Sequence, residues 1–169
     1  MGLVSARWPE RVATMADRLF PGGVAGLAIA RLGCLIEGCD FGRPWEGLGA
    51  VIYDRHSRAW AYHVLEYELS PASPWSLAVH PFAAYLAVWG LCVAGLGEWL
   101  RRRSRSDGRG ATLSAALFLV GAGVIEWWRE PATVPQVTDG LSIYPFIYWL
   151  MSVAVLMIGP RMLRSSPQD

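Results

Sequence analysis

Four long apolar stretches follow one another along the chain, separated by more polar segments. They cover residues 19–37, 77–100, 111–128 and 141–160. A hydrocarbon core of roughly 30 Å is crossed by about 20 helical residues, so each stretch is long enough to span a membrane. The first is interrupted by Pro21 and carries Arg31, which predicts a short, tilted or partly re-entrant helix. The pattern predicts an all-α integral membrane protein with three to four transmembrane helices.

The N-terminal residues 1–18 are charged but carry apolar side chains at helical spacing. Val12, Met15 and Leu19 recur in this way, which is typical of an amphipathic helix lying in the membrane interface. The segment is too charged for a cleavable signal peptide. We therefore expect residues 1–169 to form a single membrane domain that begins with an interfacial helix.

Residues 40–76 form a long loop of more soluble character. Two runs rich in β-branched and aromatic residues, 49–53 and 60–67, are joined by the polar residues 54–58. This pattern predicts a β-hairpin with a polar turn. We expect the hairpin to lie over the outer mouth of the helices.

Composition and charge agree with a membrane location and exclude one class of partner. Hydrophobic residues make up 53% of the chain, charged residues 17%, and the mean hydropathy is +0.29. A net charge of +1 gives no basic field for nucleic acid. Five arginines lie within residues 101–109, and short Arg-rich loops stay in the cytoplasm. This loop and the C-terminus are predicted to be cytoplasmic, and the 40–76 loop to lie outside.

The segment Arg31–Pro44 combines a charge, two thiols and a Gly/Pro loop at the end of an apolar helix. Because an ionisable side chain is costly in a bilayer, Arg31 is expected to face a partner, a cavity or a polar ligand. Cys34 and Cys39 leave three alternatives open: a disulfide, a reactive thiol pair beside Arg31, or two small side chains packed at a helix end. With His80 they lack a recognised metal-ligand spacing, so no metal is predicted.

Three motifs follow one another in the chain. They are Arg31-Leu-Gly-Cys-Leu-Ile-Glu-Gly-Cys-Asp-Phe-Gly-Arg43, His80-Pro-Phe-Ala-Ala-Tyr85 and Gly121-Ala-Gly-Val-Ile-Glu126-Trp-Trp-Arg129-Glu-Pro131. In order and spacing they resemble the landmarks of the prolipoprotein diacylglyceryl transferase family. Enzymes of that family, in the bacterial inner membrane, join the diacylglyceryl group of phosphatidylglycerol to a lipoprotein cysteine thiol. The resemblance covers nearly the whole chain but only the C-terminal portion of the longer family fold.

The resemblance implies roles for the matching residues. The catalytic candidates, if the chain is active, are Arg31, His80 and Glu126. The residues expected to contact a lipid headgroup are Arg31, Arg43, Arg129 and Tyr85. A guanidinium suits this task because its planar fork matches phosphate oxygens. The implied ligand is a phosphatidylglycerol-like phospholipid, and no cofactor is expected.

Several positions depart from the family pattern. Cys34 and Glu37 replace asparagines, Cys39 replaces a glutamate, Ala83 and Leu86 replace a glutamine and a glutamate, and Ala122 replaces an arginine. The family's earlier His-Gly-Gly segment has no counterpart in this sequence, so we expect a shortened relative. Displacing a phosphoglycerol headgroup needs cations aimed at the developing phosphate charge, and Ala122 removes one of them. We therefore predict that phospholipid binding survives more readily than catalysis.

Structural alternatives stand beside these roles. Arg31 is alternatively a structural ion-pair partner of Glu37 or Glu126, and His80 is alternatively a cap at a helix start. Two functions follow from the same residues. One is a non-catalytic scaffold or accessory subunit of a membrane complex that binds phospholipid, and this is the favoured one. The other is an active transferase that moves diacylglyceryl from phosphatidylglycerol to a lipoprotein thiol.

Overall fold

Five α-helices make up most of the fold. The computed structural model describes residues 8–103, 108–130, 136–138 and 141–164, with side chains described for 12–103, 108–130 and 142–159. The helices are α1 (Trp8–Glu37), α2 (Arg58–Glu66), α3 (Phe82–Arg103), α4 (Arg109–Ile125) and α5 (Tyr144–Arg164). A 3-10 helix, Glu126–Trp128, extends α4, and two short strands, β1 (Gln136–Thr138) and β2 (Leu141–Ser142), pair antiparallel before α5. Along the bundle α1 packs on α3, α3 on α4 and α4 on α5.

Three helical segments are suited by length and composition to crossing a membrane. They are Val12–Glu37, Phe82–Arg103 and Arg109–Trp128. The apolar segment Tyr144–Gly159 of α5 is shorter. The predicted helical membrane class is confirmed, with three helices among the described residues that are able to span a membrane. The orientation of the loops and termini stays a prediction.

The predicted N-terminal segments 1–18 and 19–37 share one helix from residue 8 onward, while residues 1–7 lie outside the described residues. α1 runs from Trp8 to Glu37 and contains Pro21 without ending there. A Cβ on Gly97 of α3 would lie 3.3 Å from Pro21 Cγ, so the proline ring packs closely on α3. A proline removes one backbone hydrogen bond, which membrane helices tolerate where a neighbouring helix packs against the site. The helix therefore continues through a residue that the sequence pattern treats as an interruption.

Small residues bring α1, α3 and α4 close together. A Cβ on Gly90 would lie 3.0 Å from Ala28 Cβ, and a Cβ on Gly97 would lie 3.0 Å from Ser114 Oγ. Val24 and Val93 form an apolar cluster beside these contacts. Helices inside a membrane gain little from hydrophobic burial, so close van der Waals packing of this kind is what holds them.

The predicted β-hairpin in the 40–76 loop is wrong. Residues 58–66 form helix α2. Its N-cap is Ser57, whose Oγ accepts a hydrogen bond from Trp60 N at 3.1 Å. The fully buried Ala59 and His63 lie four residues apart and share the inner side of α2. The other predicted strand contributes only isolated bridges, in which Val51 pairs with Val79. Capping and helical spacing outweigh the β-prone composition here.

The start of α4 is held by α1. Asp17, 3% exposed, accepts hydrogen bonds from Gly108 N at 2.8 Å and from Ala111 N at 2.7 Å. The first backbone N–H groups of a helix have no partner within that helix, and a carboxylate also favours the positive end of the helix dipole. Asp17 therefore caps α4 from a neighbouring helix.

Candidate functional site

The site begins where α1 ends. Gly38 follows the helix with φ +64°, and a Cβ there would lie 2.9 Å from Tyr53 Cδ1. Glycine meets both demands, since it adopts positive φ without strain and has no side chain to collide. The turn directs the next residues back across the helix end and buries Asp40.

The three sequence motifs meet around Gly42. Its N–H donates to His80 O at 3.1 Å, and Arg43 N donates to Trp128 O at 2.9 Å. A Cβ on Gly42 would lie only 2.5 Å from Trp128 O and 2.6 Å from His80 Cβ. A glycine is therefore required here for the backbones to approach. These backbone contacts join residues 42–43, 80 and 128, which are far apart in sequence, and we call them the backbone frame.

Four charged side chains form a chain of alternating sign on this frame. Asp40 pairs with Arg31 through one carboxylate oxygen and with Arg129 through the other, the latter at 2.9 Å. Arg129 also pairs with Glu126 Oε1 at 3.0 Å. The side chains of Asp40 and Glu126 are 7% and 1% exposed, whereas that of Arg31 is 39% exposed. We call these four residues the ion chain; its formal charges sum to zero.

The ion chain corrects one structural alternative for Arg31. Its ion pair is with Asp40 and not with Glu37 or Glu126, while Glu126 is paired instead with Arg129. The backward turn at Gly38 brings Asp40 to Arg31. Arg31 and Glu126 are still joined, because Asp40 and Arg129 connect them.

Two buried polar atoms of the ion chain have no hydrogen-bond partner among the described residues. They are Glu126 Oε2 and Arg129 Nε. An unpaired buried polar group costs about 1–3 kcal/mol, so each is a place where a water or a ligand atom would be stabilising. The ion chain therefore retains one hydrogen-bond acceptor and one donor for a water molecule or a polar ligand atom.

A cavity of about 210 Å³ lies among the helices on the Arg31 side, and we call it the helix cavity. Its lining residues are Leu27, Ala28, Arg31, Leu86, Phe118, Ala122 and Tyr148. The wall is therefore mainly apolar and contains one cation. Ala122 is 2% exposed and stands in this wall where the family motif has an arginine.

A second cavity of about 500 Å³ opens beside α2 and is called the loop cavity. Its lining residues are Cys39, Phe41, Arg58, Ala61, Tyr62, Leu65 and Arg129. Arg129 thus belongs to this cavity, while Arg31 belongs to the helix cavity. The ion chain connects the walls of both.

His80 lies on the backbone frame, outside the ion chain. Its ring stacks on Trp45 with centroids 4.3 Å apart and a 5° angle, and its Nδ1 is 3.2 Å from Tyr85 Oη. Burial lowers the pKa of His80, so the ring is neutral near pH 7. Tyr85, predicted as a headgroup contact, is the hydrogen-bond partner of His80 in the structure. Arg43 is exposed and donates from Nε to Arg129 O at 3.3 Å.

Sequence reasoning missed two buried carboxylates of the site. Asp40 is the centre of the ion chain, and the sequence offers a signal for it, since it lies two residues after Gly38, which follows the last residue of α1. Glu130 is 3% exposed and accepts hydrogen bonds from Tyr62 Oη at 3.3 Å and Tyr67 Oη at 3.1 Å. Burial, together with the Glu130 carboxylate, raises the pKa of Tyr67 to about 12, so its hydroxyl stays a donor. These bonds fasten α2 to the third motif.

The cysteines are close to the site without belonging to a metal cluster. Cys34 and Cys39 are free thiols of intermediate exposure, and Cys39 lines the loop cavity. Within the part of the chain that the structure describes, no group of three or more His, Cys, Asp or Glu side chains is arranged to hold a metal ion.

Comparisons with known proteins agree with the motifs. A family model described as prolipoprotein diacylglyceryl transferase matches residues 2–160. A phosphatidylglycerol–prolipoprotein diacylglyceryl transferase of Dehalococcoides mccartyi strain 195 is 28% identical over 129 residues, covering 76% of this chain and 42% of the relative. One of Clostridium tetani is 24% identical over 118 residues, covering 70% and 42%. The chain thus spans about 42% of the length of these relatives. No solved structure matches it significantly.

Proposed function

Since this chain belongs to the prolipoprotein diacylglyceryl transferase family, we propose that it binds an anionic phospholipid of the phosphatidylglycerol type without transferring its diacylglyceryl group. The helix cavity supports this proposal because an apolar wall and a single cation, Arg31, stand side by side in it. A phospholipid has the same division between acyl chain and phosphate. The carrying observation is therefore the position of Arg31 in an otherwise mainly apolar cavity.

The headgroup phosphate would compete with Asp40 for Arg31. The ion chain is electrically balanced without a ligand, so a bound phosphate adds one negative charge to it. Arg31 is the more accessible of its two arginines, at 39% exposure against 20% for Arg129. We propose that the phosphate contacts Arg31, while Arg129 keeps Asp40 in place. Arg43 and Tyr85, the other predicted headgroup contacts, would then touch only the edge of the headgroup.

Binding without transfer is favoured by the residues that surround Arg31. Ala122 and Leu86 line the helix cavity at two positions where the family motifs have an arginine and a glutamate. Transfer needs cations or hydrogen-bond donors aimed at the departing phosphate and a group that receives the thiol proton. An apolar wall at these positions binds an acyl chain but stabilises no developing charge.

We further propose that the protein is a scaffold or accessory subunit of a complex in the bacterial inner membrane. Large apolar side chains are exposed along α1, including Leu19, Ile29 and Ile36. Such a surface suits contact with lipid or with another membrane protein. Chemical crosslinking of the chain in its native membrane should yield a reproducible adduct with another membrane protein; a chain that crosslinks to none lacks this role.

Lipid selectivity tests the binding proposal. Native mass spectrometry of the purified chain, titrated with phosphatidylglycerol and with zwitterionic phosphatidylcholine, should show retention of phosphatidylglycerol in preference. In Arg31→Gln the preference should fall about tenfold, the equivalent of 1.4 kcal/mol. Arg102→Gln is the matched control, because Arg102 is 73% exposed and pairs with Glu98 at the far end of α3. Equal affinity of Arg31→Gln and the unaltered chain for phosphatidylglycerol would overturn the proposal.

The second candidate, an active transferase, is favoured by one observation. The neutral His80 ring remains available beside a frame that also holds Arg31 and Glu126. An assay of diacylglyceryl transfer from phosphatidylglycerol to a lipobox peptide should detect no product with the unaltered chain. Product formation that is lost in both Arg31→Gln and His80→Asn would instead establish the transferase. Ala122→Arg adds a cation to the helix cavity. Transfer by this variant would show that the alanine at position 122 is what suppresses the reaction.

A further inference from the structure

The end of α1 brings two cysteine side chains together. Cys39 N donates to Cys34 O at 3.3 Å, and Gly38 between them has φ +64°. This is the six-to-one hydrogen bond of a Schellman motif, in which the residue after the glycine packs its side chain on the residue that accepts the bond. In this chain both of those residues are cysteines.

The geometry of this motif suits a disulfide. The hydrogen-bonded N and O atoms each lie within two covalent bonds of their own Cα. The two Cα atoms are therefore brought near the separation of about 4.4–6.8 Å that a disulfide requires. Both side chains are also partly exposed, so an oxidant can reach them.

The surroundings of Cys39 favour thiol chemistry. Cys39 opens into the loop cavity, of about 500 Å³, whose wall also contains Arg58 and Arg129. The thiolate is the nucleophilic form of cysteine, and this cavity gives an external disulfide access to Cys39. Cys34 lies in the last turn of α1 and is not among the lining residues of this cavity. The loop cavity therefore exposes the Cys39 thiol.

We propose that Cys34 and Cys39 are a redox-active dithiol that closes to an intramolecular disulfide by exchange with an external disulfide. The Cys39 thiolate attacks one sulfur of the external disulfide and releases its other half as a thiol. The Cys34 thiolate then attacks the Cys39 sulfur and releases the second half as a thiol. The protein loses two electrons and two protons, and the external disulfide gains them.

Closure would act on the neighbouring ion chain. Asp40 directly follows Cys39 and holds Arg31 and Arg129 through its two oxygens. A covalent bond between Cys39 and α1 fastens the turn on which Asp40 sits. The disulfide itself does not depend on the proposed lipid binding, so the two proposals fail or stand separately.

Thiol counting after redox equilibration tests the pair. The full chain, purified in detergent, is equilibrated with reduced or oxidised glutathione, unfolded and labelled with a maleimide. Labels per chain should fall from three, the number of free cysteines, to one in oxidised glutathione. Peptide mapping should show a Cys34–Cys39 crosslink and leave Cys92 labelled. Persistence of all three labels, or glutathione adducts on both residues without the crosslink, would overturn the proposal.

Single variants separate the internal disulfide from ordinary oxidation. Cys34→Ala should accumulate a mixed disulfide of Cys39 with glutathione, because the second thiol is missing. Cys92→Ala is the matched control and should still lose both remaining labels in oxidised glutathione. Thermal unfolding of each variant in reduced buffer shows whether it is folded. A folded Cys34→Ala that forms no adduct on Cys39 contradicts the role given to Cys39.

Discussion

Two buried aspartates, one in the first half of α1 and one just beyond its end, are used differently. Asp17 accepts hydrogen bonds from two backbone N–H groups at the start of α4, those of Gly108 and Ala111. Asp40, just beyond the end of α1, binds the side chains of Arg31 and Arg129. Both are almost fully buried, at 3% and 7% exposure. They differ in whether their partners belong to the main chain or to side chains.

That difference separates an anchor from a site. The N–H groups held by Asp17 cannot leave without unwinding the first turn of α4, so the contact stabilises one arrangement of helices. The arginines held by Asp40 line two cavities, and Arg129 Nε has no partner among the described residues. Side chains are able to change partners without unfolding a helix. Buried charge thus indicates a binding site when its partners are movable and still have unused hydrogen-bonding capacity.

Removing Asp40 should give the largest effect. Asp40→Ala leaves Arg31 without its ion-pair partner and Arg129 with Glu126 alone, which we expect to cost about 3 kcal/mol of unfolding free energy. Asp40→Asn keeps the volume but removes the negative charge, so phosphatidylglycerol affinity should rise several-fold. Thermal unfolding in detergent measures the stability, and lipid titration measures the affinity. Glu46→Ala is the control, because Glu46 is exposed. An unchanged or reduced affinity in folded Asp40→Asn would show that Asp40 does not compete with the headgroup.

Gly42 tests whether the backbone frame is needed around the ion chain. In Gly42→Ala the new methyl would lie 2.5 Å from Trp128 O, and we expect a loss of about 2 kcal/mol as the frame separates. Gly33→Ala is the matched control, because a Cβ there has no described atom within 4 Å and alanine favours a helix. Unfolding temperatures of the two variants should therefore move in opposite directions. Equal shifts would mean that the approach at Gly42 is not tight.

Hydropathy predicted the helices well because long apolar runs leave few other structures in a membrane. The motifs likewise indicated Arg31, Glu126 and Arg129, and the structure joins these three in one ion chain. Asp40 was not predicted, since its role depends on the backward turn at Gly38 and on a helix more than eighty residues away. The spacing of residues within one segment does not show which distant segment it will pair with.

Helix α2 shows the opposite kind of failure. Its aromatic and β-branched residues suggested a strand, although Ser57 as a cap and the spacing of Ala59 and His63 are local helix signals. Tyr62 in this helix and Tyr67, which directly follows it, both donate hydrogen bonds to Glu130. A strand would place alternate residues on opposite faces and change which side chains reach the third motif. The helical conformation of residues 58–66 is therefore what brings Tyr62 to Glu130.

Asp17 should matter for stability and leave lipid binding unchanged. Asp17→Ala removes both acceptors at the start of α4, and we expect a loss of about 1.5 kcal/mol from the lost cap and a buried unpaired N–H. Asp17→Asn keeps one acceptor oxygen and should lose less. Hydrogen exchange of the Gly108 and Ala111 amides should accelerate in the alanine variant. A fall in phosphatidylglycerol affinity in folded Asp17→Ala would erase the distinction between anchor and site.

Acid should loosen the part of the 40–76 loop that contains α2 and the buried His63. Burial lowers the pKa of His63 to about 4, below its ordinary value of 6.5, and its Nδ1 accepts a hydrogen bond from Leu77 N at 3.2 Å. The unfolded chain binds the proton more tightly, so the stability due to neutral His63 is complete above about pH 6.5 and is lost as pH falls towards 4. Between about pH 7 and pH 5.5 we expect a loss of about 1 kcal/mol.

The pH dependence of two histidine variants measures this effect. His63→Asn retains an acceptor but does not titrate, so its unfolding temperature should vary less between those two pH values than that of the unaltered chain. His56→Asn is the matched control, because His56 is exposed and its φ of +82° is one that asparagine tolerates. It should retain the acid sensitivity. If instead His56→Asn abolished the sensitivity and His63→Asn kept it, the buried histidine would not be its source.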